Sequence, residues 1–222
     1  MKKYAIIVAG GTGTRMKTDV PKQFLLLKGR PVLMHTMEVF HMYDDKIEII
    51  ITLPATAFDQ WEQLCREHHF NIPYRYVAGG TTRFHSVKNA LAEINENGLI
   101  AIHDGVRPLI SIQTISRCFA TAEKSGNAIP VITIPESIRQ IDGPASKAVD
   151  RSQFRLIQTP QVFQSNILLI AYQQPYTAEF TDDASVVEKM GNQIHLVEGN
   201  IENIKITTPT DLIIAEALIS GY

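Results

Sequence analysis

Residues 4–16 have the sequence YAIIVAGGTGTRM, an apolar run that leads directly into a glycine-rich turn. Consecutive apolar residues followed by glycines are typical of a buried strand that ends in a tight loop. Because glycine has no Cβ, the backbone N–H groups of such a loop can approach phosphate oxygens closely. The stretch therefore predicts a buried strand with an anion-binding loop at its carboxyl end.

Short apolar runs recur along the chain, at residues 47–51, 74–77, 99–102 and 128–131. The segments near or between them have apolar residues at helical spacing, at residues 32–40, 58–67, 86–94 and 112–123. This alternation favours an α/β fold with a mostly parallel sheet that is covered on both faces. Ligands bind outside the carboxyl ends of the strands in such sheets, so we expect the site in loops 9–22, 78–86, 103–108 and 159–161.

The alternation breaks at a polar segment, residues 136–155, which has a Gly143-Pro144 turn between two alternating stretches. This pattern predicts a projecting β-hairpin arm. Residues 208–211, TPTD, predict the start of the last helix, with a Thr cap, Pro at the first helical position and an acid three residues after the cap. We interpret residues 1–222 as a single domain that contains the arm.

The composition excludes several classes of protein. Hydrophobic residues make up 45% of the chain and charged residues 20%, which is typical of a globular protein. The 21 basic and 23 acidic residues are interspersed, so we expect no nucleic-acid partner. Cys65 and Cys118 lie outside any C-x-x-C motif, which argues against a disulfide framework or a zinc site. The apolar run at residues 4–9 is too short for a signal-peptide core, and no 18-residue apolar run exists, so we expect a cytoplasmic protein without a membrane partner.

The glycine-rich loop does not fit the two commonest phosphate-binding motifs. Counted from Gly11, the dinucleotide motif needs glycine at Met16, and a Walker loop needs Gly-Lys-Ser/Thr. The loop instead contains Arg15, and Lys22 follows shortly after it, so two cations can converge on one polyphosphate. Such cations stabilise the charge that develops in nucleotidyl transfer. A glycine-rich turn alone is equally consistent with a purely structural tight turn.

The combination of GGTGTRM at residues 10–16 with PKQF at residues 21–24 closely resembles the signature of the methylerythritol-phosphate cytidylyltransferases. Matching blocks follow in the same order at residues 79–87, 103–108, 158–161, 181–185 and 203–207. The resemblance covers nearly the whole chain. It implies a Rossmann-like nucleotidyltransferase fold, CTP and a sugar-alcohol phosphate as substrates, Mg²⁺ or another divalent cation as cofactor, and a homodimer formed through the arm.

The resemblance also implies roles for individual residues. Arg15 and Lys22 are the implied catalytic residues, and Asp104 is the implied metal ligand. The implied nucleotide-binding residues are Ala9, Gly10, Gly11, Thr12, Gly13, Gly80, Arg83, Ser86, Asp104 and Arg107. The implied substrate-binding residues are Ser137, Arg151, Thr159, Thr181 and Lys205, of which Ser137 and Arg151 enter the neighbouring subunit's site from the arm. Many members of the family have an acid where this chain has Thr81.

Each of these residues also has a purely structural interpretation. Asp104 alternatively caps the turn before Pro108, and Ser86 alternatively caps a helix. Thr181 and the following Asp182 alternatively cap the helix that runs to residue 190. Lys205 and the polar residues of the arm are alternatively ordinary surface residues.

The expected reaction is an in-line attack of an acceptor phosphate oxygen on the α-phosphorus of CTP, with Mg²⁺ bridging the phosphates and pyrophosphate leaving. A ribitol-phosphate cytidylyltransferase shares the glycine-rich loop and the 103–108 block, but residues 83–87 and 181–188 favour methylerythritol phosphate as the acceptor. A nucleotide-binding protein without catalysis is disfavoured by the intact Arg15, Lys22 and Asp104. A dehydrogenase is disfavoured because the third glycine is missing.

Overall fold

A computed structural model describes residues 1–11 and 21–220 of the chain. Within these ranges the strands are β1 Lys2–Val8, β2 Leu26–Leu27, β3 Arg30–Pro31, β4 Glu48–Leu53, β5 Arg75–Ala78, β6 Gly98–Asp104, β7 Asn127–Ile132, β8 Arg139–Asp142, β9 Ala145–Ala148, β10 Leu156–Ile157, β11 Gln161–Gln164 and β12 Leu196–Glu198. The helices are α1 Val32–Tyr43, α2 Phe58–Glu67, α3 Arg83–Leu91, α4 Ile112–Ser125, α5 Ser165–Ala171, α6 Asp183–Glu188 and α7 Pro209–Ser220.

One large sheet organises the molecule, in the order β10-β7-β11-β6-β1-β4-β5, with β12 beside β7. The central strand β1 pairs in parallel with β4 and β6, and β4 pairs in parallel with β5. The strand β11 lies antiparallel between β6 and β7. The predicted mostly parallel sheet is confirmed. The sequence pattern does not reveal β11, because its apolar part is only Val162 and Phe163, flanked by glutamines.

The central strand is buried on both faces, as its apolar run predicts. Ala5 and Ile7 pack on one face against α1, α2 and α4, and Tyr4 and Ile6 pack on the other face against α3, α5 and α6. All four side chains are at most 1% exposed. Burial of one large aliphatic side chain stabilises the fold by about 1.5–3 kcal/mol. The apolar run therefore fixes Ala9, Gly10 and Gly11 at the carboxyl edge of the sheet.

The ends of the helices test the predicted caps. The capping box before α7 is confirmed, because the Asp211 carboxylate accepts from Thr208 N–H at 2.7 Å and Thr208 Oγ1 accepts from Asp211 N–H at 3.3 Å. The prediction that a helix begins near Ser86 is wrong. The observed α3 is capped by Thr82, whose hydroxyl accepts from His85 N–H, and Ser86 lies inside the helix.

The predicted hairpin is present as β8 and β9, which pair antiparallel across a turn at Gly143. Gly143 has a φ of 55°, a value that favours glycine. Every residue of the two strands is exposed, including Ile141 at 70%.

Among the described helices, none combines the length and the apolar character needed to cross a lipid bilayer.

Candidate active site

Two adjoining pockets lie at the carboxyl edge of the sheet. We call the first the glycine pocket; it has a volume of about 320 Å³, and its lining includes Ala9, Gly10, Gly11, Lys22, Gly80, Thr81, Arg83, Ser86, Asp104 and Lys205. We call the second the Thr159 pocket; it has a volume of about 280 Å³, and its lining includes Arg83, Asp104, Arg107, Thr159, Gln161, Thr181, Asp182 and Lys205. Most of the predicted site residues that the structure describes therefore lie together, although they come from loops that are far apart in the sequence.

The wall of the glycine pocket depends on closely packed glycines around Ser86. The Ser86 hydroxyl accepts from Gly80 N–H and donates to the carbonyl of Thr82, both at 3.0 Å. A Cβ on Gly10 or Gly79 would lie 3.3 Å from Ser86 Oγ, and a Cβ on Gly80 would overlap with His85. Gly10 therefore packs closely against Gly79, and a side chain at either position would push against Ser86, so backbone groups form this part of the pocket surface.

Lys22 lies beside Gly11 in the glycine pocket. It begins a short 3-10 turn directly after Pro21. Its Cε and Nζ atoms lie 3.7 and 4.0 Å from the position that a Cβ on Gly11 would occupy. The predicted contact of Lys22 with the phosphates stays a prediction. The predicted residues Thr12, Gly13 and Arg15 lie outside the described residues.

Asp104 lies at the end of β6, on the boundary between the two pockets. Its Oδ2 atom is 2.9 Å from Lys205 Nζ and 3.2 Å from Arg107 Nε, and its Oδ1 atom is 3.7 Å from Arg83 Nε. Burial raises the pKa of the Asp104 carboxyl, but the charges of Arg83, Lys205 and Arg107 outweigh burial and hold the pKa well below its usual range. Asp104 therefore carries a permanent negative charge at neutral pH within a ring of three cations.

A buried hydrogen-bond network holds Asp104 and Arg107 in place. Thr159 Oγ1 accepts from Asp104 N–H at 3.1 Å and lies 3.0 Å from His103 Nδ1, while His103 Nε2 lies 3.1 Å from the Arg107 carbonyl oxygen. Because a carbonyl only accepts, Nε2 carries the proton and the Thr159 hydroxyl donates to Nδ1. Asn203 Nδ2 donates to the Thr159 carbonyl at 2.8 Å, and Arg107 Nη1 donates to the Asn203 carbonyl at 2.7 Å. Sequence reasoning assigned no role to His103 or Asn203.

The burial of His103 has a measurable consequence for stability. Burial lowers its pKa to about 4, from about 6.5 in the unfolded chain. Between these values the unfolded chain binds a proton that the folded chain does not, so stability is present above pH 6.5 and is lost as the pH falls toward 4. The expected loss is roughly 3 kcal/mol of unfolding free energy. Urea unfolding of the native protein and of His103→Gln at pH 7 and pH 4.5 checks this. A variant that loses as much stability on acidification as the native protein would contradict the assignment.

Arg83 is held by partners about a hundred residues away in the chain. Its two terminal nitrogens donate to the carboxylate of Asp183 at 2.8 and 2.6 Å, and the Tyr172 hydroxyl donates to the same carboxylate at 2.6 Å. Asp183 is fully buried. Burial lowers the pKa of Arg83, but the charge of Asp183 outweighs burial and raises it. The guanidinium is therefore charged and fixed between the two pockets.

The segment before α6 contributes to both structure and site. Asp182 caps α6 in a reciprocal capping box with Ser185, which confirms the structural interpretation of Asp182. It also accepts from Gln161 Nε2 at 2.8 Å. Thr181 does not cap the helix; it is exposed and lines the Thr159 pocket.

The predicted residues of the arm are not brought to the pockets within one chain. Ser137 and Arg151 are exposed, and neither is among the residues that line the glycine pocket or the Thr159 pocket. Arg151 Nη1 donates to the carbonyl of Pro135 at the base of the arm. Any contact of these residues with a substrate therefore requires a second copy of the chain or a rearrangement of the arm.

The Asp104 carboxylate suits a hard divalent cation that a bound substrate also coordinates. Within residues 1–11 and 21–220, no group of three or more His, Cys, Asp or Glu side chains lies together as a metal cage. Mg²⁺ commonly uses one or two carboxylates together with substrate phosphates and water. Asp104 supplies one carboxylate at a pocket lined by Lys22 and Lys205.

Comparisons with known proteins identify the family to which this chain is similar. Residues 4–221 match the model of the family described as 2-C-methyl-D-erythritol 4-phosphate cytidylyltransferase. The protein of that name from Bacteroides thetaiotaomicron is 52% identical over 99% of this chain and 100% of its own length. The protein of that name from Geobacillus thermodenitrificans is 34% identical over 100% of this chain and 98% of its own length. The crystal structure of the enzyme of that name from Thermus thermophilus has a TM-score of 0.82 at 32% identity and covers 99% of this chain and 100% of its own.

Proposed function

This chain belongs to the 2-C-methyl-D-erythritol 4-phosphate cytidylyltransferase family, and we propose that its two adjoining pockets hold CTP and the acceptor side by side for direct transfer. The protein is a cytidylyltransferase of isoprenoid precursor biosynthesis. It joins CTP and 2-C-methyl-D-erythritol 4-phosphate to give CDP-methylerythritol and pyrophosphate.

The observation that carries the proposal is the shared boundary of the pockets. Arg83, Asp104 and Lys205 line both the glycine pocket and the Thr159 pocket. Two phosphate-bearing substrates that occupy these pockets meet at this boundary, where Arg83, Arg107 and Lys205 surround Asp104. Holding two reactants next to each other in the correct orientation removes much of the entropic barrier to a reaction between them.

In the proposed mechanism, CTP binds in the glycine pocket with its triphosphate beside Gly10 and Gly11. Methylerythritol phosphate binds in the Thr159 pocket. One of its phosphate oxygens attacks the α-phosphorus of CTP, the bond to the β-phosphate oxygen breaks, and pyrophosphate leaves with the electron pair. Lys22 and Arg15 stabilise the negative charge that develops on the transferring group and on the leaving group. Lys205 lies on the boundary and attracts the acceptor phosphate.

We assign Asp104 as the residue that holds the divalent cation, with Mg²⁺ as the expected ion. When bound, the cation neutralises charge on the CTP phosphates. The ring of Lys205, Arg107 and Arg83 around the carboxylate keeps Asp104 ionised and fixed in position before any ligand arrives. Another divalent cation can serve at such a site, because a single carboxylate selects weakly between ions.

The arm belongs to the same proposal, as the part that completes a neighbouring subunit's site in a homodimer. Ser137 and Arg151 are exposed and lie outside the pockets of their own chain. Exposed apolar residues on and beside the arm, Ile141, Phe154, Leu156 and Ile157, support a buried contact with a second copy. An Arg side chain suits the phosphate of the acceptor through paired N–H groups.

Mixed dimers test the role of the arm. Arg151→Ala is expected mainly to raise KM for the acceptor, and Lys22→Ala mainly to lower kcat. If the arm acts across the dimer, a hybrid of the two variants has one intact site. Random mixing should then regain about a quarter of native activity, since half of the dimers are hybrids with one working site each. Pyrophosphate release after joint unfolding and refolding of the variants measures this. A mixture no more active than the average of the two variants would contradict a cross-subunit role.

A cytoplasmic location also belongs to the proposal. It is supported by the folding of the apolar run at residues 4–8 into the central strand of the sheet.

A further inference from the structure

We propose that Asp183 and Tyr172 are positioning residues that hold Arg83 back from a full ion pair with Asp104, and so keep the Asp104 carboxylate available to the divalent cation. This inference rests on the proposed metal-binding role of Asp104. It concerns two buried residues that lie outside the lining of both pockets and contact neither the nucleotide nor the acceptor in the proposed mechanism.

The two carboxylate oxygens of Asp104 differ in their contacts. Oδ2 is in contact with Lys205 Nζ at 2.9 Å and Arg107 Nε at 3.2 Å. Oδ1 faces Arg83 Nε across 3.7 Å, which is too long for a hydrogen bond. Oδ1 is therefore the oxygen through which the carboxylate can coordinate a cation. The guanidinium of Arg83 lies only a short distance from Oδ1 and would compete with the cation for it.

The guanidinium of Arg83 is restrained by Asp183. Both terminal nitrogens of Arg83 are engaged in a bidentate pair with Asp183, at 2.8 and 2.6 Å. Bidentate pairs of this kind fix the plane of the guanidinium as well as its position. The Tyr172 hydroxyl donates to Asp183 Oδ1 at 2.6 Å and fixes the carboxylate in turn. Phe84 stacks on the Tyr172 ring with centroids 4.7 Å apart, which anchors the tyrosine in the core.

Loss of this restraint is expected to change the position of Arg83. Without the negative charge of Asp183, Asp104 is the remaining carboxylate that the structure pairs with Arg83. The attraction between opposite charges grows as water is excluded, so Arg83 is expected to move the short distance to Oδ1 and to pair with it. Oδ1 would then no longer be open to the cation. Asp104 would then be neutralised from both sides, and the divalent cation would have to displace an arginine.

Equilibrium binding of CTP in the absence of acceptor tests the proposal without any turnover. Calorimetry gives the CTP dissociation constant with excess Mg²⁺ and with EDTA, and the ratio of the two is the enhancement by the metal. Asp183→Asn is expected to reduce this enhancement about tenfold, the scale found when residues that support a metal ligand are changed. The double variant Arg83→Gln with Asp183→Asn is expected to regain the native enhancement, because the competing cation is gone. A direct contribution of Arg83 to CTP binding changes the dissociation constants with Mg²⁺ and with EDTA by the same factor, so it cancels in their ratio.

The outcomes separate this inference from the proposed function. If Asp104→Asn keeps the native enhancement, the metal assignment itself is wrong. If Asp104→Asn removes it but Asp183→Asn keeps it, the positioning role alone is wrong. If the double variant stays as defective as Asp183→Asn, Asp183 supports the fold rather than Arg83, and the proposal is again overturned.

Tyr172→Phe provides a milder test if Asp183→Asn does not fold. It removes one hydrogen bond to Asp183 and leaves the ion pair, so the enhancement is expected to fall about two- to threefold, the lower end of the effect of a single hydrogen bond. Tyr76→Phe is the matched control, because the Tyr76 hydroxyl donates to Glu62 at 2.7 Å on the surface, away from the pockets. Equal enhancements in Tyr172→Phe and Tyr76→Phe would contradict the proposal.

Discussion

Replacing Lys22 with alanine is expected to lower kcat by roughly a hundred- to a thousand-fold, the effect of removing one group that stabilises charge in a transition state. Lys22 lines the glycine pocket and lies beside Gly11. Its charge matters most when the bond between the α- and β-phosphates breaks, because negative charge then builds on the leaving pyrophosphate. CTP binding should weaken far less than kcat, since the interaction is strongest in the transition state.

The measurement is steady-state pyrophosphate release together with calorimetric binding of CTP. Lys124→Ala is the matched control, because Lys124 is an exposed lysine in the last turn of α4, away from the pockets. Near-normal turnover of Lys22→Ala, or an effect confined to CTP affinity, would show that Lys22 is not a catalytic residue.

Asp104→Asn is expected to lower kcat at least about a hundred-fold and to abolish most of the dependence on Mg²⁺. The amide has nearly the shape of the carboxylate but no charge. It cannot coordinate the cation with the same strength, and it leaves Arg83, Arg107 and Lys205 facing one another without their shared anion. The variant therefore loses both the metal ligand and the balance of charge on which the boundary between the pockets depends.

Stability must be measured in the same experiment, because removal of one partner from a buried cluster of charges costs about 3–5 kcal/mol when the cluster is fully buried. Lys205 is 38% exposed and reorients into water, so the cost here should lie below that range. Activity is then compared at a temperature where the variant is folded by circular dichroism. A folded Asp104→Asn protein with native kcat and native Mg²⁺ dependence would contradict the site.

The two variants have different expected signatures. Lys22→Ala keeps the enhancement of CTP binding by Mg²⁺ and loses turnover. Asp104→Asn loses both. This difference separates a group that acts on the departing phosphates from a group that holds the cation.

Much of the fold follows from local features of the sequence. The apolar runs at residues 4–8, 47–51 and 99–102 predict β1, β4 and β6 because a strand buried on both faces needs apolar residues at consecutive positions. The rule that ligands bind at the carboxyl ends of such strands then predicts a site in loops that line the two pockets. The Thr208 capping box and the hairpin turn at Gly143 are likewise local signals.

The features that the sequence does not predict depend on contacts between distant segments. Asp183 lies within a matching block, yet its role depends on Arg83, a hundred residues earlier in the chain. The sequence does not indicate that His103 is buried, because the position of its ring depends on hydrogen bonds with Thr159 and the carbonyl of Arg107. The expected start of α3 is wrong because both Thr82 and Ser86 are good caps, and only the packing of Ser86 against Gly10 and Gly79 distinguishes them.

Some of the predicted site residues are brought together within one chain, and others depend on contacts that one chain does not contain. Lys22, Asp104 and Lys205 are found together as the sequence resemblance implies, and their geometry adds the shared boundary that no motif contains. Ser137 and Arg151 remain predictions, because their contribution requires a partner subunit. Thr81 lines the glycine pocket and lies 3.3 Å from His85 Nδ1, and nothing in the structure explains why it replaces an acid.

The most direct test of the central claim is pyrophosphate release from CTP and Mg²⁺ with 2-C-methyl-D-erythritol 4-phosphate or ribitol 5-phosphate as the acceptor. We predict release with methylerythritol phosphate, and a kcat/KM at least roughly a hundred-fold lower with ribitol phosphate, because a pocket built to pair a particular set of hydroxyls discriminates strongly against others. Equal or faster release with ribitol phosphate, or CTP binding without release on either acceptor, would contradict the account.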